Sequence, residues 1–248
     1  MRHMKPTIQN HYRALITRAV GDVHQAQQLR RLCFGVGNAD TDQDAFDDTY
    51  QHVLIYDDAT DMLVCTFRFI HLQNGADVMQ TYSGAYYDLS PLLNLQAPLI
   101  EMGRFCVHPD RNDPNILRYA WSILTQYVDQ HEIALLFGCS SFAGTDVTRY
   151  GDTFAMLKQR YLAPPHLAPV VKSAHIHAFG HTALDPDFDV RQALKHMPSL
   201  LRTYLAMGGR VSDHAVLDYG LNTIHVFTAV EIDKIPTARK RWLRASVI

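Results

Sequence analysis

The feature that most constrains the fold is a strand, a helix and a second strand that follow one another closely. Residues 99–108 form an apolar, strand-like run, and Asp113 with Pro114 then signals the start of an amphipathic helix. The short apolar run at 133–139 comes next, as is typical of a strand that is buried on both faces. This order predicts a right-handed crossover between parallel strands, and therefore an α/β fold.

The remaining segments predict further strands and helices in mixed order. Helices are expected at 22–34, 153–161 and 190–207, strands at 52–56, 62–70, 173–179 and 223–232, and an irregular segment at 73–98. Pro198 should interrupt the last of these helices. Because no internal repeat or low-complexity linker divides the chain, we predict one α/β domain over residues 21–248, preceded by an N-terminal extension over residues 1–20.

Composition and charge narrow the class of protein. The chain has 248 residues, and its formal net charge of −2 offers no general attraction to nucleic acid. It contains no apolar run of about 18 residues and no signal-peptide pattern, so we expect a cytoplasmic protein. Its four cysteines are scattered among apolar residues, which predicts reduced core thiols and no metal site.

Several charged residues stand in apolar surroundings, where an unpaired buried charge is strongly unfavourable. They are Arg30, Asp44, Asp47, Arg68, Glu101 and Arg104. The last two lie three apart inside the predicted strand at 99–108. Such charges pair with one another or meet a charged substrate, and together they indicate a site for a small zwitterion.

Several pieces of sequence, in order, carry a resemblance to a known family. They are Leu29-Arg30 followed by Phe34, Asp44-Ala-Phe-Asp47, Thr66-Phe-Arg68, Glu101-Met-Gly-Arg104-Phe-Cys-Val-His-Pro, Phe137-Gly-Cys-Ser-Ser-Phe142, Pro198-Ser-Leu-Leu-Arg-Thr-Tyr-Leu-Ala-Met-Gly208 and Asp218-Tyr-Gly-Leu-Asn-Thr223. Over residues 29–235 the chain resembles the GNAT-related ornithine-acyl carrier protein N-acyltransferases. It resembles the acyl-homoserine lactone synthases more distantly.

That resemblance implies a fold and a reaction. The fold would be GNAT-like, with a mixed, mostly antiparallel sheet flanked by helices. The reaction would move a 3-hydroxy fatty acyl group to the α-amine of ornithine or a similar amino acid, giving a lyso-aminolipid in ornithine lipid biosynthesis. The donor would be acyl-phosphopantetheine on acyl carrier protein, with no other cofactor. Residues 110–116, where the wider fold has a glycine-rich loop for coenzyme A, contain no glycine, which favours the carrier protein.

The resemblance also implies roles for individual residues. The attacking amine must lose a proton, and a positioned base contributes about 10²- to 10⁴-fold, so Glu101 is the candidate base. Arg104 is the second candidate catalytic residue, and backbone amides at 103–106 would stabilise the oxyanion. The candidate substrate-binding residues are Arg30, Phe34, Asp44, Asp47 and Arg68, with Arg68 for the substrate carboxylate and Asp47 for a distal ammonium.

The geometry of a strand bears on two of these roles. Residues three apart on a regular strand face opposite sides, so Glu101 and Arg104 would not face one pocket. We therefore expect a bulge or other irregularity at Gly103.

Three alternatives stay open. In the first, the charged residues form a purely structural ion-pair network that fixes the first helix and the following loop onto the sheet. The second is a signal synthase that uses S-adenosylmethionine and releases a lactone. The third is a non-catalytic module that binds acyl carrier protein or lipid.

A basic segment near the end of the chain suggests a partner. Residues 238–244 place four cations around a tryptophan. This pattern fits the acidic carrier protein or an anionic membrane, so we expect peripheral contact with the inner membrane. A solvated basic tail explains the same pattern equally well.

Overall fold

The computed structural model of the chain describes residues 11–35, 41–182 and 187–245. The strands are β1 (Tyr12–Thr17), β2 (Gln51–Asp57), β3 (Met62–Leu72), β4 (Tyr87–Asp88), β5 (Leu99–Val107), β6 (Leu135–Ala143), β7 (Val170–Val171), β8 (Ile176–His177), β9 (Arg210–Asp218) and β10 (Thr223–Glu231). The helices are α1 (Val20–Phe34), α2 (Tyr82–Tyr86), α3 (Pro114–Gln130), α4 (Gly151–Arg160), α5 (Val190–His196), α6 (Ser199–Ala206) and α7 (Thr237–Ala245). Among the described helices, none has the length and apolar content needed to cross a bilayer.

Within the described chain, eight strands form one mixed, mostly antiparallel sheet in the order β1-β2-β3-β5-β6-β10-β9-β8. Strands β5 and β6 run parallel, in a ladder from the pair Leu99–Leu135 to the pair Glu101–Phe137. Helix α3 connects these two strands, which confirms the predicted strand, helix and strand. Strands β4 and β7 pair separately. Helix α1 packs against β2 and helix α6 against β10, so the mixed sheet flanked by helices is confirmed.

Contacts between residues divide the chain into two compact units. Unit 1 comprises the described residues within 1–70, 102–132 and 237–248. Unit 2 comprises the described residues within 71–101 and 133–236. The single domain expected over residues 21–248 stays a prediction.

Unit 1 contains helix α1 and the hairpin of β2 and β3. Helix α1 buries Val23, Ala26 and Leu29, which recur at helical spacing, and it ends at Gly35, whose φ of 65° favours glycine. Strands β2 and β3 pair antiparallel, as the two apolar runs around an Asp-rich turn predict. Helix α3 begins after Asp113, whose side chain accepts a first-turn amide.

Unit 2 draws its core from β6, β9, β10 and helices α4 to α6. The core side chains are apolar and almost fully buried, and they include Phe142, Phe154, Phe179, Leu201, Val211 and Ile224. Helices α5 and α6 are separated at Pro198, as predicted, because proline lacks the amide that a continuous helix needs.

Some segments differ from their predictions. Strand β1 lies within the residues expected as an extension, and it pairs with β2 along its whole length. The segment 73–98, expected to be irregular, contains α2, and the strand expected at 173–179 shortens to β8. Strand β9 has no counterpart among the predictions, because the buried polar residues Ser212 and His214 interrupt its apolar pattern.

The close packing of the 3₁₀ turn Gly75–Gln80 in unit 2 makes a testable prediction. A Cβ atom at Gly75 would overlap the backbone carbonyl oxygen of Leu92, which has no side-chain freedom to move aside. We expect Gly75→Ala to lower the free energy of unfolding by about 1–3 kcal/mol in urea denaturation. Gly151→Ala in α4 is the control, because a Cβ there meets nothing within 4 Å. Equal urea midpoints for the two variants would contradict the prediction.

Candidate active site

Among the described residues of unit 1, three arginines and three aspartates form a closed ring of ion pairs. The members alternate in charge around the ring in the order Arg30, Asp47, Arg68, Asp44, Arg104 and Asp42. They come from α1, from the segment between α1 and β2, from β3 and from β5. Each member therefore has two neighbours of opposite charge, and the ring as a whole is neutral.

The half of the ring made by Arg30, Asp47 and Arg68 is buried, with exposed side-chain fractions of 1%, 2% and 2%. Arg30 donates to the two carboxylate oxygens of Asp47 at 2.7 and 2.8 Å, and Arg68 donates to Asp47 Oδ1 at 2.5 Å. Gln27 of α1 adds a hydrogen bond to Asp47 Oδ2 at 2.9 Å. These contacts join α1, the turn before β2 and strand β3 through one carboxylate.

Burial and ion pairing act in opposite directions on the pKa of Asp47. Burial favours the neutral carboxyl, but the hydrogen bonds and charges of Arg30 and Arg68 outweigh it and hold the pKa well below its usual range. The same balance lowers the pKa of Asp44, with Arg68 and Arg104 as its partners. The buried Asp47 is therefore ionised at neutral pH because of its partners.

The other half of the ring, made by Asp42, Arg104 and Asp44, is partly open to solvent, and we name it the acidic edge. Its exposed side-chain fractions are 14%, 12% and 21%. Arg104 donates to Asp44 Oδ2 at 2.9 Å, and its Nε lies 3.5 Å from Asp42 Oδ2. Each of its two carboxylates also pairs with an arginine of the buried half, so the edge belongs to a neutral ring. Because these carboxylates are partly exposed, an ammonium group of a small ligand is the kind of group that can reach them.

Arg104 reaches the ring from an unusual backbone conformation. Its φ is 54°, so a non-glycine residue in strand β5 adopts the left-handed region. The irregularity expected at Gly103 therefore lies one residue further along the chain. Such conformations cost energy and cluster at functional sites, so this one supports a role for Arg104 beyond the sheet.

Glu101 lies in unit 2 and is 1% exposed. Its carboxylate accepts hydrogen bonds from two consecutive backbone amides, Tyr82 N at 3.0 Å and Ser83 N at 2.6 Å. These amides belong to the first two residues of α2, whose N-cap is Thr81. The two donors stabilise the negative charge of a buried carboxylate and fix the orientation of its plane.

The residues predicted from the sequence separate into groups. Five of the seven belong to the ring, Glu101 belongs to unit 2, and Phe34 is the last residue of α1 with 37% of its surface exposed. Asp47 and Arg68, expected to bind the substrate's ammonium and carboxylate, hold each other in the buried half. Asp42 is a ring member that the sequence did not single out. Over the described ranges, no group of three or more His, Cys, Asp or Glu is arranged to hold a metal ion.

The basic segment at 238–244 lies in helix α7, and its cations make different contacts. Arg244 donates to both carboxylate oxygens of Asp129 at 2.8 and 2.9 Å, so an acid does lie beside the segment. Arg239 stacks over the ring of Trp242 at 4.6 Å. Contact of this helix with acyl carrier protein or with the inner membrane stays a prediction.

Comparison with known proteins gives four similarities. Residues 32–122 match the family described as Acetyltransferase (GNAT) domain. The L-ornithine N(alpha)-acyltransferase of Rhodobacter capsulatus is 32% identical over 236 residues, covering 89% of this chain and 90% of the relative. The protein of the same name from Brucella abortus is 27% identical over 208 residues, covering 78% and 71%. A solved N-acyl amino acid synthase from uncultured soil microbes shares the fold, with a TM-score of 0.50, 10% identity and coverage of 92% and 97%.

The lowered pKa values in the ring predict how stability depends on pH. Asp44 and Asp47 have lower pKa values in the folded chain than the value of about 3.9 in the unfolded chain. Their stabilising contribution is therefore complete above that unfolded value and is lost as the pH falls towards the folded values. Asp47→Asn should lower the free energy of unfolding by about 3–5 kcal/mol at neutral pH, because it breaks a buried ion pair.

Urea unfolding at a series of pH values measures both effects. Below the unfolded carboxyl pKa of about 3.9, the variant should lose stability less steeply than the wild type, because it lacks one carboxylate to protonate. Asp58→Asn, which removes an exposed carboxylate paired with Arg13, is the matched control and should change stability by less than about 1 kcal/mol. If both variants lost the same free energy of unfolding, the buried ion pairs of Asp47 would contribute no more to stability than an exposed pair.

Proposed function

Because the chain belongs to the L-ornithine N(alpha)-acyltransferase family, we propose that it moves a 3-hydroxy fatty acyl group from acyl carrier protein to the α-amine of ornithine. The chain is an acyltransferase with a GNAT-like fold. The observation that carries the choice of acceptor is the acidic edge, considered together with the similarity that spans nearly the whole chain.

The acidic edge fits an amino acid with a cationic side chain. Ornithine carries two amino groups and one carboxylate. The carboxylates of Asp42 and Asp44 suit an ammonium group, while the guanidinium of Arg104 suits the substrate carboxylate in forked geometry. These residues replace Asp47 and Arg68 as the proposed substrate ligands, because they are partly exposed, whereas Asp47 and Arg68 are buried.

The start of helix α3 supports a donor carried on a protein. Phosphates bind at helix starts through free backbone amides. Here Pro114 has no amide hydrogen, and the Asn115 amide donates to the Asp113 carboxylate at 2.9 Å. That carboxylate also accepts a hydrogen bond from Tyr12 at 2.5 Å, so the place carries negative charge. This arrangement disfavours the pyrophosphate of coenzyme A there and favours acyl carrier protein.

The proposed reaction forms one bond and breaks one bond. The neutral α-amine attacks the thioester carbonyl, a C–N bond forms, and the C–S bond to phosphopantetheine breaks. Glu101 takes the proton that the amine loses, and the departing thiolate takes up a proton to complete the balance. Because a thiolate is a good leaving group, the reaction has little need of a strong general acid. The product is an N-acylated amino acid, a lyso-aminolipid.

Product analysis tests this function. Purified chain is incubated with 3-hydroxyacyl carrier protein and with ornithine, lysine, glutamine or glycine in separate reactions, and the products are identified by mass spectrometry. We expect N-acylornithine, and no product when acyl-CoA replaces the carrier protein. Absence of product with every amino acid would overturn the proposal, and a lactone formed from S-adenosylmethionine would assign the chain to signal synthesis.

Two substitutions separate the proposed roles. Glu101→Gln should lower kcat by about 10²- to 10⁴-fold with little change in KM for ornithine, because it removes the proton acceptor. Asp44→Asn should mainly raise KM for ornithine, since it weakens an ion pair to the substrate. Asp58→Asn is the control and should leave both constants unchanged. A Glu101→Gln variant with wild-type kcat would exclude Glu101 as the base.

A further inference from the structure

The place of Glu101 depends on helix α2. The carboxylate is held by the amides of Tyr82 and Ser83, and α2 extends only from Tyr82 to Tyr86. A helix this short is not stable by itself, because the free energy lost in nucleating a helix exceeds the free energy gained from a single turn of hydrogen bonds. Contacts at its other end must therefore fix its position.

Tyr87, the residue that follows α2, provides the first of these contacts. It is fully buried, and its hydroxyl donates to the backbone carbonyl of His225 at 2.8 Å. The same hydroxyl lies 3.2 Å from His225 Nδ1. Since the single hydroxyl proton goes to the carbonyl, Nδ1 carries the imidazole proton and donates to the tyrosine oxygen. Burial lowers the pKa of His225 to about 4, which agrees with a neutral ring.

Lys172 provides the second contact. It follows strand β7, which pairs with β4 through Tyr87 and Val171. Its ammonium donates to the carbonyl oxygen of Gly84 in α2 at 2.6 Å. That carbonyl is among the last four of a helix, which have no partner within the helix itself. The bond therefore satisfies a helix carbonyl and holds the helix towards β7.

Gly84 shows how closely α2 is held. A Cβ atom at this residue would lie 2.6 Å from the carbonyl oxygen of Val78 and 2.7 Å from that of Met79. The helix backbone is thus pressed against the preceding 3₁₀ turn. Tyr87 and Lys172 act on a helix that has little room to shift in that direction.

We propose that Tyr87 and Lys172 are positioning residues that set the Glu101 carboxylate by holding the end of helix α2. The proposal rests on the proposed role of Glu101 as the proton acceptor. Neither side chain contacts the reacting atoms in this scheme, and both act through the amides of Tyr82 and Ser83. Small displacements of a catalytic group lower the rate by about 10²-fold per ångström, so loss of either contact lowers turnover.

The test uses Tyr87→Phe, which keeps the buried ring and removes the hydroxyl, and Lys172→Met, which changes an exposed residue and removes the ammonium group. Each should lower kcat by about 10-fold or more and leave KM for ornithine unchanged. Each should also speed hydrogen exchange of the Tyr82 and Ser83 amides, measured by NMR. The control is Tyr150→Phe, which removes another buried hydroxyl of unit 2 that donates to the Ala143 carbonyl at 2.6 Å. It should change neither kcat nor these exchange rates.

Two further outcomes separate this inference from the proposed function. In a Glu101→Gln background, Tyr87→Phe should cause no further loss of kcat, because the group that it positions is already gone. Additive losses, or unchanged exchange at Tyr82 and Ser83, would overturn the positioning role. Faster exchange in Tyr87→Phe, together with wild-type kcat in Glu101→Gln, would support the mechanical coupling and overturn only the role of Glu101 as base.

Discussion

The closed ring of ion pairs is the interaction on which unit 1 depends. An isolated charge inside a protein is costly, and an isolated buried pair often does no better than apolar residues of the same size. Closing the ring changes this balance, since every carboxylate meets two guanidinium groups and every guanidinium meets two carboxylates. Helix α1, the following turns, β3 and β5 are thereby joined at one point. Removing any member leaves each of its two neighbours in the ring with one ion-pair partner instead of two.

The ring has a buried half, which joins elements of the fold, and a half that is partly open to solvent. Asp47 is fully buried between two arginines, so its charge is committed to the fold. Asp44 shares Arg68 with Asp47 but is 21% exposed, and so is the member with the greatest access to solvent. A purely structural network and a substrate site are therefore not exclusive alternatives. The same six side chains supply a rigid buried half and an acidic edge whose geometry is fixed in advance.

The sequence predicts much of this arrangement because burial of charge leaves a local signal. Three charged residues stand inside apolar strands, namely Glu101, Arg104 and Arg68. Burying an unpaired charge costs free energy, so each of them predicts a partner. Asp42 carries no such signal, because its loop holds several acids and nothing local distinguishes a paired one from a solvated one. The partners of Glu101 are backbone amides, which every residue but proline possesses, so no residue type marks them. The bond from Arg244 to Asp129 joins residues far apart in the chain, and only the packing of α7 on α3 reveals it.

In the proposed reaction, the carboxylates of the acidic edge and the carboxylate of Glu101 have different tasks. A carboxylate next to an amine favours the charged ammonium, which cannot attack a thioester. In the proposed reaction, the acidic edge therefore suits the side-chain ammonium of the acceptor, the group that must stay protonated and unreactive. Glu101 differs from these carboxylates, since it accepts hydrogen bonds from two backbone amides. A nitrogen that is bonding to a carbonyl carbon is far more acidic than a free ammonium group. In the proposed reaction, Glu101 therefore takes the proton as this bond forms, when the nitrogen releases it most readily.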